Sequence, residues 1–308
     1  GAGRWLEEMV RAATAPVVRD RPRDAREFLD YLAEAEEEAR PREPATETGT
    51  VDPTVAAPGD RLDGGLVVKR RLARGGTAMA LLVEREEDGE EYVLKVGLDD
   101  AHADRIRAEA DILRRLHHQN LVRFVADVTT AGRPAILMER AGEKTLAQWL
   151  RGGDGLSLDL MNRFGENLLS AIEHLEQEGV AHRDVKPENI GIAKNAGTGA
   201  YRLVLFDFSL SRAPLETINA GTRPYLDPFL ADRRPPRWDL HAERYAVAVT
   251  LHEMLTGAPP SFGDGLTDPR LTEDDVATIL PERFDPALRE GLTTFFERAL
   301  RRDPAERF

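Results

Sequence analysis

The chain has 308 residues, with 42 lysines and arginines against 55 aspartates and glutamates, a net charge of −13, and no cysteine. That length suits a sizeable core in about two domains or one two-lobed unit, and the missing thiols exclude disulfides, a thiolate nucleophile and Cys-ligated zinc, which makes the cytoplasm the expected location. The negative balance opposes direct nucleic-acid binding, and no apolar run reaches the ~20 residues of a membrane span, so neither a nucleic acid nor a membrane is expected as a partner.

Residues 1–40 read as helical, because Trp5, Leu6, Met9 and Val10 share a face and Asp24 can cap a run carrying Phe28, Leu29 and Leu32. The stretch 41–59 mixes Pro, Thr and Ala with no apolar period and is expected to be a linker. Its Thr46, Thr48, Thr50 and Thr54 would be candidate autophosphorylation sites through tethering. From residue 60 the texture changes to β-rich runs, G-L-V-V-K-R-R-L at 65–72, A-M-A-L-L-V-E at 78–84 and E-Y-V-L-K-V at 91–96, with Asp88-Gly89 as a hairpin turn. A helix over about 101–116 and strands around 121–128 and 135–139 complete a small antiparallel sheet with one helix. Beyond Thr145 the pattern is mainly helical. Leu160, Phe164, Leu168, Ile172 and Leu175 mark one amphipathic helix ending at Gly179, and an apolar helix over about 239–255 ends at Gly257. The short strands I-G-I-A and R-L-V-L-F lie between them.

The strongest chemical signal is H-R-D-V-K-P-E-N at 182–189, followed by D-F at 207–208. In order and wording this resembles the catalytic core of the eukaryotic-type (Hanks-type) serine/threonine protein kinases. Phosphoryl transfer asks a protein to position groups and neutralise charge, so it needs a carboxylate near the attacking hydroxyl and oxygen ligands for a divalent cation. The resemblance implies Asp184 for the first role, with Lys186 beside it, and Asn189 and Asp207 as metal ligands. It implies Lys95 as the lysine on the phosphates and Glu109 as its partner. Around the nucleotide it implies Leu72, Gly75, Gly76, Ala80, Val93, Lys95, Met138, Glu139, Ala141 and Gly191, with Met138 as gatekeeper. The implied cofactors are ATP and Mg2+, or Mn2+ in its place, and the implied partner is a protein substrate.

The implied fold is α+β, a two-lobed kinase domain over 60–308. Its antiparallel-sheet N-lobe with one regulatory helix would run to about 138, and its mainly helical C-lobe, lacking the last helix, would occupy about 142–308. Lys186 with Thr222 points to the serine/threonine branch. D-F-S-L-S-R-A-P and A-E-R-Y-A-V-A-V-T-L-H-E-M-L-T-G are similar to the PglW-like kinases of bacterial Pgl/BREX phage-defence systems, whose other components would be candidate substrates. R-P-R-D-A-R-E-F-L-D-Y-L at 21–32 looks like the segment that closes a kinase C-lobe. On that reading the opening helices expose an apolar face to be covered by this C-lobe or by self-association with a neighbouring molecule. The alternatives are a pseudokinase that holds nucleotide as a scaffold and a small-molecule phosphotransferase.

Several positions depart from the family pattern. Ala73 and Ala78 replace two loop glycines, and Ser209 makes the metal motif D-F-S, which is strained if that position requires a positive φ. Gly191 stands where an aliphatic residue should floor the adenine pocket, while Val93 and Ala80 exchange volume opposite it. Glu243 replaces an aspartate expected to bond the H-R-D backbone. Phe229 replaces the glutamate that would pair with Arg307, so that ion pair is expected to be absent and replaced by apolar packing. Arg183 would gather a phosphate on the activation segment, with Thr217 as the first candidate.

Overall fold

The computed structural model describes residues 51–152, 156–195 and 197–308. The helical segment expected over 1–40, with its self-association, and Thr46, Thr48 and Thr50 lie outside the described residues. Strands β1 (Arg61–Leu62), β2 (Leu66–Arg74), β3 (Ala78–Arg85), β4 (Glu91–Gly97), β5 (Phe124–Thr130) and β6 (Arg133–Glu139) form one antiparallel sheet in the order β1-β2-β3-β4-β6-β5. Helix α1 (Ala103–Leu113) packs on β4 and β6. Below it lie a three-stranded sheet, β7 (Lys144–Thr145), β8 (Ile190–Lys194) and β9 (Tyr201–Leu205), and helices α2 (Leu146–Arg151), α3 (Leu158–Gln177), α4 (Leu240–Thr256) and α5 (Arg289–Ala299). No described helix is long and apolar enough to cross a membrane.

Strand alternation decides which side chains reach the cleft between the lobes. Met79, Leu81 and Val83 on β3, Leu94 and Val96 on β4, and Ala135 and Leu137 on β6 pack into the upper core of the first sheet. Period-two geometry then turns Ala80, Val93, Lys95 and Met138 to the opposite face, where Ala80 pairs with Lys95 and Val93 with Met138. The shared lower core begins with Ile136, Met138 and the buried face of α1 and continues through α3 and α4.

Two helices carry the frame of the C-lobe. Ser157 caps α3, whose Phe164, Leu168, Ala171, Ile172 and Leu175 are buried. Asp239 caps α4, which is buried nearly all round and stops at Gly257 in the left-handed conformation. Neither α2 nor α5 has a counterpart among the sequence expectations.

Two expectations are corrected. Residues 51–59, read as linker, dock on the upper sheet: Ala56 is fully buried, Arg71 donates to its carbonyl at 2.9 Å, and Arg133 pairs with Asp52 at 3.2 Å. Thr54 donates its hydroxyl to Asp52 at 2.8 Å, so it is held rather than free to reach an active site. Short apolar residues too few to show a period sufficed to bury this segment. The second correction concerns Arg307. It forms a buried ion pair after all, with Asp227 at 2.6 Å, two residues before Phe229. Phe229 is itself fully packed, edge-on to Phe262 and beneath the Arg302 guanidinium.

Candidate active site

The catalytic and metal-ligand residues named from the sequence gather in two neighbouring constellations. Lys95 Nζ lies 2.7 Å from Glu109 Oε2 and 2.6 Å from Asp207 Oδ1. Glu109, buried on α1, also accepts the Phe208 backbone N–H at 3.0 Å. One carboxylate therefore fixes the helix, the β4 lysine and the D-F segment relative to one another. Burial pulls the Lys95 ammonium down, but Asp207 and Glu109 outweigh it and hold it above the usual lysine range. Burial pushes Asp207 up, yet Lys95 and a hydrogen bond from Ser209 hold its carboxyl well below the usual range. Both groups are charged at neutral pH.

The second constellation surrounds Asp184. Its Oδ2 accepts from Lys186 at 2.8 Å and from Asn189 Nδ2 at 3.0 Å, and its Oδ1 accepts the Thr222 hydroxyl at 2.8 Å. Lys186 also donates to Thr222 Oγ1 at 2.6 Å. Asp184, Lys186, Asn189 and Thr222 thus form a network that joins the H-R-D loop to the loop at 221–225.

The H-R-D backbone rests on α4. Glu243 Oε1 accepts from the His182 N–H at 2.7 Å and Oε2 from the Arg183 N–H at 3.0 Å. A glutamate therefore performs the bonding expected of the shorter aspartate. Burial pushes its carboxyl up to about 7, and the two backbone N–H bonds only partly counter this. Burial holds the His182 imidazole below its usual value. The neutral ring lets Nε2 donate to the Phe206 carbonyl at 2.9 Å while Nδ1 accepts from the Asp184 N–H at 3.3 Å.

Backbone strain sits at Arg183, with φ of 71°, and Asp207, with φ of 69°. Ser209 is not in the left-handed region, so the strain foreseen for it falls on Asp207 instead. The buried Arg183 guanidinium donates to the carbonyls of Ala213, Pro214 and Thr217 and lies over the Trp238 ring.

A cavity of about 430 Å³ opens between the sheets. Of the residues named for the nucleotide, Leu72, Gly75, Ala80, Val93, Lys95, Met138, Glu139, Ala141 and Gly191 line it, whereas Gly76 does not. Asn189 and Asp207 line it as well. Asn189 uses its amide nitrogen on Asp184, which leaves a carbonyl oxygen, and Asp207 offers an ionised carboxylate. Two hard oxygen donors facing a cavity fit a magnesium ion, which commonly takes one or two protein ligands and completes its shell with phosphate and water. Among the described residues no group of three or more His, Asp or Glu side chains forms a metal cage.

Sequence reasoning missed two participants. Asp227 carries the partner role for Arg307, and Phe206, immediately before Asp207, lines the cavity. A large aromatic beside a metal-ligand motif was the available signal for the second.

Comparison with known proteins agrees with this geometry. The model of the protein kinase domain family matches residues 66–308. Among curated relatives, "Probable kinase PglW" of Streptomyces coelicolor is 37% identical over the whole of this chain, which spans 22% of that relative. "Serine/threonine-protein kinase Pkn1" of Myxococcus xanthus is 28% identical over 78% of this chain and 36% of its own length. The crystal structure of the Mycobacterium tuberculosis PknI kinase domain aligns with a TM-score of 0.59 at 24% identity, covering 82% of this chain and 94% of that one.

Proposed function

The chain belongs to the protein kinase family, and from that premise we propose that it transfers the γ-phosphoryl group of ATP to serine or threonine hydroxyls. One observation carries this reading: a threonine hydroxyl already lies on the Asp184 carboxylate at 2.8 Å, beside the Lys186 ammonium. A substrate hydroxyl in the same relation would pass its proton to Asp184 as its oxygen bonds to the γ-phosphorus. The bond from that phosphorus to the bridging oxygen breaks, and ADP leaves with the electron pair. Lys186 would offset the negative charge gathering at the transfer point, and Lys95, braced by Glu109, would hold the nucleotide phosphates. A magnesium ion between Asn189 and Asp207 would supply charge neutralisation on the phosphate oxygens.

The likeness to PglW supports a place among the kinases of phage-defence systems, with other components of such a system as substrates. The test is incubation of the full chain with γ-labelled ATP, Mg2+ or Mn2+ and a generic serine- and threonine-bearing protein, followed by phosphoamino-acid analysis. Labelled phosphoserine or phosphothreonine is expected. Nucleotide-dependent thermal stabilisation with no label under either metal would overturn catalysis in favour of the scaffold reading.

A further inference from the structure

Arg133 opens β6, and its guanidinium holds two separate segments at once. One nitrogen reaches Asp52 Oδ2 at 3.2 Å, and the other donates to the Leu98 carbonyl at 3.1 Å. The second oxygen of Asp52 accepts both the N–H and the hydroxyl of Thr54 at 2.8 Å, so the whole carboxylate is engaged. Val51 and Ala56, on either side of it, pack into the same apolar core as Leu98. The segment 51–59 therefore grips residue 98 through a charged bridge and through shared burial.

Residue 98 is where that grip meets the cleft. It follows β4, three residues after Lys95, and its N–H donates to the Thr77 carbonyl at 3.1 Å. Thr77 lies in the loop between β2 and β3 and lines the cavity. Beyond residue 98 the chain turns directly into α1: the His102 N–H is shared between the carbonyl and the side chain of Asp99, at 3.2 and 3.1 Å, and the helix begins at Ala103. A connection this short and this well bonded carries a shift of Leu98 to the start of α1, whose Glu109 braces Lys95. Polar contacts thus run from Asp52 through Arg133 and the Leu98 backbone to the cavity wall at Thr77.

We propose that Arg133, oriented by Asp52, is a positioning residue for nucleotide binding, and that docking of 51–59 sets both the cavity wall at Thr77 and the entry to α1. The assignment rests on the nucleotide-binding part of the function proposed above. It makes undocking of 51–59 a way to lower nucleotide affinity without touching the cleft.

The experiment measures equilibrium binding of ADP and amide hydrogen exchange on the full chain, for wild type, Asp52→Ala, Asp52→Glu, Arg133→Met and the double variant Asp52→Ala with Arg133→Met. A partly exposed ion pair contributes little to global stability, so the variants are expected to fold, with exchange in α4 unchanged. Asp52→Ala should weaken ADP binding by roughly 3- to 10-fold, the scale of substitutions that act through a contiguous network, and should speed exchange at 98–103. Asp52→Glu, which keeps the carboxylate, should retain most of the affinity. Once Arg133 is methionine, Asp52→Ala should add no further loss, because Asp52 acts through Arg133. Wild-type ADP affinity in both Asp52→Ala and Arg133→Met, or additive losses in the double variant, would overturn the assignment while leaving nucleotide binding intact. Faster exchange throughout α4 alongside weaker binding would overturn it too, since the loss would then be one of general stability. A wild-type chain that does not bind ADP would overturn the nucleotide reading, and this assignment with it.

Discussion

Arg307 and Asp227 meet at 2.6 Å with both side chains almost completely buried. Arg233 approaches the same carboxylate at 2.7 Å and Asp239 at 2.8 Å, so two aspartates and two arginines form one connected network. The pair restores through residue 227 an ion pair whose usual acidic position is held by Phe229.

Breaking a buried pair from one side leaves an uncompensated charge and costs about 3–5 kcal/mol. Asp227→Ala leaves the buried Arg307 without its carboxylate and Arg233 with Asp239 alone, whereas Arg307→Ala leaves Asp227 with Arg233. Urea denaturation should therefore show Asp227→Ala as the more destabilised variant. Equal stability of the two would contradict this account of the network.

This correction marks a general limit on what the sequence showed. The strands β2 to β4, the helix α3 and the ends of α4 were legible because alternation, helical spacing, Asp239 and Gly257 are local signals. Lys95, Glu109, Asp184, Asn189 and Asp207 were legible because their order carries a family resemblance. Asp227 was not, since it stands in for a residue two positions away and only the folded structure reveals the exchange. The docking of 51–59 was hidden for another reason: two alanines and two valines give no periodic pattern, yet Ala56 fits fully into the sheet core.

Arg183 bears on regulation. Its guanidinium already serves the carbonyls of Ala213, Pro214 and Thr217 and stacks on Trp238, so the activation segment is held without a phosphate. Thr217→Ala is expected to retain kinase activity within about twofold of wild type, because Arg183 engages its backbone and not its hydroxyl. Arg183→Met should instead increase protease cleavage between Ala213 and Thr217. Loss of activity in Thr217→Ala, restored by Thr217→Glu, would show that phosphate control operates.

Glu243 sets a pH dependence of stability. Its folded pKa of about 7 lies above the ordinary value of 4.5, so between these values the native state holds a proton that the unfolded state has released. Stability from this group is complete below 4.5 and declines as pH rises towards 7. His182 acts oppositely. Its lowered folded pKa means that stability is lost as pH falls below 6.5, where the unfolded imidazole takes up a proton first. Comparing wild type with Glu243→Gln isolates the first effect, since the amide does not titrate. The stability advantage of wild type should shrink between pH 5 and pH 7.5, by denaturation measured at each pH. An advantage that stays constant or widens would contradict the assignment.

The most direct test of the central claim is steady-state phosphoryl transfer by Asp184→Asn, measured together with its affinity for ADP. Asp184 binds Lys186, Asn189 and Thr222 and does not line the nucleotide cavity. The expected result is an unchanged ADP dissociation constant with kcat lower by ~10²-fold or more, the usual contribution of a positioned general base. Transfer at the wild-type rate by Asp184→Asn, with ADP bound equally by both proteins, would contradict it.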